Sequence, residues 1–345
     1  VFPIRPRVRT GAVIAAIVAL TAPLAVACGS GQAGPDTLVI YSGRHEGLVG
    51  GLLDRLGQAT GLDVEVRYGG SAEMAAQILE EGAATEADLF FSQDAGALGA
   101  LGEQGRLATL PARVLNRAPE KFRAADGSWV ATSARARVVA YDPGQVREEE
   151  LPESADDLLD PRWRGQIGYA PTNASWQASV TGFRVLRGEA GARAWLTGFA
   201  GNQPQRYQNN LAVLDAVDQG QIALGLINHY YWHRKVAEVG EENVNARLHY
   251  VGGDDPLALV NVAGAGVVEG NDSPDAALKA VEFLLSEQAQ RYFADNTAEY
   301  PVNADVTSAR HDLPPLTEVQ SPDIDLSSLS SLQETLAMLQ EVGLS

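Results

Sequence analysis

The chain has 345 residues, 45% of them hydrophobic and 20% charged, a globular composition too long for one ordinary domain, so two lobes are the natural expectation. Lys and Arg number 26 against 44 Asp and Glu, and the net charge of −18 argues against nucleic acid and against attraction to anionic lipid. A cationic ligand would be drawn in, although an acidic surface also serves solubility outside a cell.

At the start of the chain, Arg5, Arg7 and Arg9 precede the apolar run Gly11 to Ala27, and Leu24-Ala25-Val26-Ala27 meets Cys28. A charged region, an apolar stretch and small residues at the cleavage point read as a secretory signal over residues 1–27. Pro23 interrupts a run already short for a membrane span. Cys28, the only cysteine, followed by Gly29-Ser30-Gly31, resembles a bacterial lipobox, with Ala25 a less usual choice at its place. Cys28 is then the lipidation site and residues 28–36 the lipidated tether, which leaves the rest of the chain without disulfides. Without the three leader arginines the balance is 23 basic against 44 acidic residues, or −21.

Thr37 to Tyr41 reads as a buried strand. Glu46 to Gln58 places Leu48, Leu52, Leu53 and Leu56 on one helical face and is stopped by Gly61. Asp63–Tyr68 alternates as a second strand, Gly69-Gly70-Ser71 turns, Ala72–Glu81 is helical and Asp88–Ser92 is a third strand. Strand–helix alternation with short turns predicts a doubly wound parallel sheet, α/β in class. Such sheets bind ligands just beyond the carboxyl ends of their strands. The loops to search are therefore Ser42–Glu46, Gly69–Ser71, Gln93-Asp94 and Asn228–Tyr231. Ser133–Tyr141 is a further strand, and a new strand–helix series begins near Gly165–Tyr169. Val260–Val268 reads as a long returning strand, and Asp275–Tyr292 as an amphipathic helix carrying Leu278, Val281, Leu284 and Leu285. The serine-rich stretch Ser321–Ser331 reads as a tether laid over the surface before a last helix, Leu329–Val342, which ends at Gly343.

The run Asn228-His229-Tyr230-Tyr231-Trp232-His233-Arg234 follows the apolar strand Ile222–Ile227 and opens a helical pattern through Val236 and Val239. A phenolate oxygen is a hard donor, suited to a small, highly charged cation such as Fe³⁺. A helix N-terminus favours an ionised oxygen over a neutral phenol. Two readings fit these residues alone, a hard-metal site or two rings packed at a domain surface. His229 and His233 have a zinc-like spacing but lack a third ligand and the catalytic glutamate of a zinc hydrolase, so both read as structural. Trp232 reads as packing against the turn, and His249 and His311 as strand and loop residues.

With Tyr41-Ser42-Gly43-Arg44-His45-Glu46, Ser133–Tyr141, Trp163–Tyr169, Asn228–Arg234, Asp255-Pro256 and Glu299-Tyr300-Pro301 in this order, the chain resembles the bacterial ferric-iron-binding proteins. These are the substrate-binding components of iron-importing ABC transporters. The resemblance implies a two-lobed periplasmic-binding-protein fold (type II-like), two doubly wound sheets joined by crossing strands and closing on Fe³⁺. It implies a first lobe from 37–137 and 262–311, a second from 138–261, and a C-terminal segment, 312–345, packed on the second.

Carried over by position, Tyr230 and Tyr231 match the two iron-coordinating tyrosinates, and His45 matches an imidazole ligand from the opposite lobe. Gln93 stands where many members place a glutamate, so the fourth ligand falls to Gln93, Asp94, Tyr141 or Glu46, or to water and an anion. The resemblance implies a synergistic anion, phosphate or carbonate. Its loop corresponds to Asn173-Ala174-Ser175, with Asn210, Asn228 and Arg135 as further contacts. It implies a monomer, anchored to the membrane by lipid only, that delivers ferric iron or a ferric chelate to an ABC permease. A second reading keeps the fold and fills the cleft with an organic anion or phosphonate. A secreted metalloenzyme is the third, against which stands the lack of a nucleophile, Gly-lysine or zinc motif.

Overall fold

The computed structural model describes residues 37–345; the leader, Cys28 and the tether lie outside them. The chain runs β1 (Thr37–Ser42), α1 (Glu46–Thr60), β2 (Asp63–Tyr68), α2 (Ser71–Glu81), β3 (Leu89–Ser92), α3 (Ala95–Glu103) and a single turn, α4 (Ala112–Leu115). After β4 (Val130–Tyr141) come β5 (Ile167–Tyr169), α5 (Ala174–Gly201), β6 (Gln205–Arg206), α6 (Asn210–Asp218), β7 (Leu224–Asn228), α7 (His229–Val239) and β8 (Arg247–His249). The return consists of β9 (Val260–Val267), α8 (Pro274–Leu284), α9 (Glu287–Tyr292), β10 (Tyr300–Pro301) and α10 (Leu332–Glu341).

The strands lie in the order β2-β1-β3-β9-β4-β7-β5-β6, with β10 and β8 also paired to β4. Two parallel groups, β2-β1-β3 and β7-β5-β6, flank the antiparallel pair β9 and β4. β4 serves both groups: Val130 to Ala136 pair with β9, and Arg137 to Tyr141 pair with β7. Every residue of β4 is buried, the condition of a central strand covered on both faces. The fold is thus the expected two-lobed α/β arrangement joined by crossing strands. The carboxyl ends of β1 and β3 and that of β7 carry the loops to which the ligand candidates belong.

Two apolar clusters form the core, the larger reaching from the first parallel group to Val213, Leu214 and Ile227 of the second half. One gathers Leu38, Ile40, Leu52, Phe90, Leu98 and Val281 around the first parallel group. The other stacks Phe183, Trp195 and Phe199 at centroid separations of 4.3 and 5.0 Å beneath β5 and β7.

Three expectations change. β4 begins at Val130, three residues earlier than its β-like run, because Trp129, Val130 and Ala131 are fully buried beside β9. The helix expected over Asp275–Tyr292 is broken after Leu284, where Ser286 adopts an extended backbone and caps a new helix by accepting from Ala289 N. The serine-rich stretch is no surface tether. Residues 326–330 form a 3₁₀ turn seated against α3, with Leu326 and Leu329 buried in the first cluster. Trp129 Nε1 donates to Ser327 Oγ (3.2 Å). Met338, Leu339 and Leu344 then enter the second cluster.

Candidate metal centre

β7 delivers the tyrosine pair. Its five residues are all buried, and Asn228 turns the chain into α7 from an extended conformation (φ −90°, ψ 147°). Asn228 makes no side-chain cap to α7, because its Oδ1 accepts from Arg137 Nη1 (3.4 Å) instead. The first amides of α7 therefore keep their partial positive charge. Tyr230 is 9% exposed and Tyr231 half-buried, with ring centroids 4.3 Å apart. Burial, reinforced by Tyr231, pushes the Tyr230 phenol above its ordinary range, and Arg135 works in the other direction.

Arg137 is the main residue that sequence reading missed. It lies directly opposite Asn228 across the β4–β7 ladder. Its Nη1 donates to Ser175 Oγ (3.1 Å) and its Nη2 to Leu226 O (2.8 Å), while Nε has no partner. Burial lowers its pKa to about 10, against the opposing influence of Tyr231 and Tyr230. The signal was present: alternate strand residues share a face, so Arg135 and Arg137 in Ser133-Ala134-Arg135-Ala136-Arg137 had to point the same way. Two cations on a buried strand call for anionic partners.

The anion candidates come together around this face. Arg135, Arg137, Ser175, Ser179, Asn228 and Asn261 line a cavity of about 20 Å³, room for roughly one water. Asn173 caps α5 by accepting from Ser175 N (2.9 Å) and Ser175 Oγ (2.7 Å). Ala174 is the first residue of that helix. Asn210, fully buried, donates to Ser175 Oγ (3.0 Å), and its own Oδ1 has no partner. Ser175 Oγ thus takes the donors of both Arg137 and Asn210, in the place where an oxyanion's oxygen would take them.

On the opposite side, His45 stands exposed at the N-cap of α1 without a side-chain cap bond, directly beyond the carboxyl end of β1. Gln93, beyond β3, donates its N–H to Ser71 Oγ (2.9 Å) and accepts from Arg135 Nη2 at its carbonyl. Its Oε1 is buried and without a partner, an acceptor left for a cation or a donor. Asp94 is committed elsewhere, since Oδ1 caps α3 at Ala97 N (3.0 Å). Glu46 is exposed in the first turn of α1.

Tyr141 is not placed to be a ligand. It pairs with Leu224 at the start of β7, four residues along β4 from Arg137, or roughly 13 Å from the tyrosine end of the strand. Its ring is buried in the second cluster.

His229 and His233 have structural surroundings. His229 is fully buried, stacks on Tyr300 at 4.3 Å and accepts from Ala136 N at Nδ1 (3.3 Å). Burial holds its pKa well below the ordinary histidine value. Among the described residues no three His, Cys, Asp or Glu side chains gather as metal ligands. Trp232 anchors the turn by donating to Ala246 O (2.7 Å).

Residues 84–326 match the profile described as bacterial extracellular solute-binding protein. The major ferric iron-binding protein of Neisseria meningitidis serogroup B is 36% identical over 309 residues, 89% of this chain and 93% of that protein. The Fe(3+)-binding periplasmic protein of Serratia marcescens is 32% identical over 330 residues, 95% of this chain and 97% of its own. The crystal structure of iron-bound HitA from Pseudomonas aeruginosa superposes with a TM-score of 0.81 at 35% identity, covering 89% of this chain and 99% of that one.

Proposed function

This chain belongs to the bacterial extracellular solute-binding protein family, and from that premise we propose that it captures ferric iron outside the cytoplasm and passes it to an ABC permease. The observation that carries this reading is the tyrosine pair at the uncapped N-terminus of α7, electrostatically coupled to the buried Arg137. Without a metal, burial keeps Tyr230 protonated. Fe³⁺ displaces the phenolic protons and gives the pair the charge that Arg135, Arg137 and the helix amides already favour. His45 supplies an imidazole from across the cleft as the lobes close. The Gln93 amide oxygen is a neutral donor, so the shell draws more of its negative charge from an anion.

Phosphate or carbonate takes over the Arg137 and Asn210 donors now bound to Ser175 Oγ, with Asn173, Asn228 and Arg135 completing the pocket. That exchange needs the walls to part, since the present space holds about one water. The lipid anchor at Cys28 belongs to this reading and keeps a monomeric protein beside its permease.

The test is iron retention. Protein stripped with chelator, loaded with ferric citrate and desalted should keep one iron per chain. Tyr230→Phe/Tyr231→Phe should keep none while melting as the parent does. Equal retention by the double variant overturns the reading. Stabilisation by phosphate or a phosphonate in the presence of chelator, with no iron retained, favours the organic-anion alternative.

A further inference from the structure

Glu299 is a buried carboxylate, 2% exposed, behind the metal centre. The residue before it, Ala298, has φ +55°, in the left-handed region that a non-glycine residue adopts only when its surroundings impose it. The two carboxylate oxygens are used unequally. Oε2 accepts from Arg44 Nη2 (2.8 Å), Ser133 Oγ (2.9 Å) and Thr297 Oγ1 (3.2 Å). Oε1 has Arg135 Nη1 at 3.7 Å, an ion pair beyond hydrogen-bond reach. That nitrogen is buried and has no hydrogen-bond partner. The other terminal nitrogen of Arg135 donates to Gln93 O.

Glu299 therefore touches both sides of the cleft through its cations. Arg44, fully buried, immediately precedes His45. Arg135 lines the anion cavity and holds the Gln93 loop. Burial pushes the Glu299 carboxyl up, but Arg44 and Arg135 outweigh it and keep the group ionised.

We propose that Glu299 is a positioning residue that competes with the bound oxyanion for Arg135, and so limits how tightly the anion is held; the inference rests on the anion pocket proposed above. Arg135 Nη1 is steadied by the charge of Oε1 alone. An entering oxyanion offers it an acceptor at hydrogen-bond distance. Glu299 stays fixed through Oε2, and its negative charge opposes the anion from behind the guanidinium. The anion is held firmly enough to complete the iron shell and loosely enough to leave with the metal.

Isothermal titration of phosphate, and separately of bicarbonate, into metal-free protein with chelator present tests this without iron. Glu299→Gln keeps an acceptor for Arg44 and Ser133 but removes the charge. It should bind the tighter anion about tenfold or more strongly than the parent, the scale of one unit charge a few ångströms away in a partly buried site. Glu299→Asp, which keeps the charge, should stay within about threefold of the parent. A Glu299→Gln protein that melts as the parent does and binds the anion no more tightly overturns the proposal. Should that variant not fold, the ¹⁵N side-chain resonance of Arg135 in the parent should shift on phosphate addition; an unmoved resonance at saturation overturns it. A parent that binds neither anion removes the pocket as well, while iron retention by the tyrosine pair remains a separate result.

Discussion

Replacing Gly99 by alanine should destabilise this protein, against the helix propensity of the two residues. Gly99 lies inside α3, where alanine would ordinarily gain up to about 1 kcal/mol. A Cβ there would stand 2.8 Å from Ser327 Cα and closer still to Ser327 O, both backbone atoms that no rotamer change can move. The 3₁₀ turn over 326–330 would have to lift away from α3. Leu326 and Leu329, each 4% exposed, would lose burial worth about 1.5–3 kcal/mol apiece if fully uncovered. The Trp129–Ser327 hydrogen bond would go with them, at about 1 kcal/mol. With partial lifting and the propensity gain subtracted, the net loss should be about 2–4 kcal/mol. Gly47→Ala is the control, because its site in α1 is exposed and has no heavy atom within 4 Å of the new Cβ. Urea unfolding of the three proteins should show Gly99→Ala below the parent and Gly47→Ala level with it or above. Should Gly99→Ala gain stability as the control does, the C-terminal turn is not seated on α3 as described.

Iron binding should release protons, since burial holds Tyr230 protonated until the metal arrives. With two phenols displaced, affinity should fall about a hundredfold for each pH unit lowered, and titration in buffers of different ionisation enthalpy should count about two protons per iron. A count of zero contradicts phenolate ligation. Gln93→Glu puts a carboxylate where an unpartnered Oε1 now lies, and should slow iron loss to a chelator by about tenfold, measured by stopped-flow transfer. An unchanged rate would remove Gln93 from the shell. Arg137→Met strips the donors to Ser175 and Leu226, and should weaken phosphate binding by about tenfold or more in calorimetry. Equal affinity would place the anion elsewhere.

Much of the fold was legible because local and global preferences agree. The β1-α1-β2 unit announces itself through the leucine face of α1 and the stop at Gly61, whose φ of +72° serves as the C-terminal cap. The break after Leu284 was hidden, because α8 and α9 share one apolar periodicity and only the capping role of Ser286 separates them. The serine-rich turn misled for a different reason. Its composition is polar, but the backbone at Leu329 and Ser327 lies against Gly96 and Gly99 of α3, more than two hundred residues away. No local pattern encodes that match. In the site, loops beyond strand ends pointed to His45, Gln93 and the tyrosine pair. Arg137 and Glu299 escaped because their value lies in pairing across β4, and Tyr141 stayed among the candidates because only the β4–β7 register shows which end of the strand it occupies.

The most direct measurement is the visible spectrum of chelator-stripped protein on addition of ferric citrate. A phenolate-to-iron charge-transfer band should appear, saturate at one iron per chain and vanish in Tyr230→Phe/Tyr231→Phe. A parent protein that shows no such band, or a band that survives in the double variant, contradicts the account.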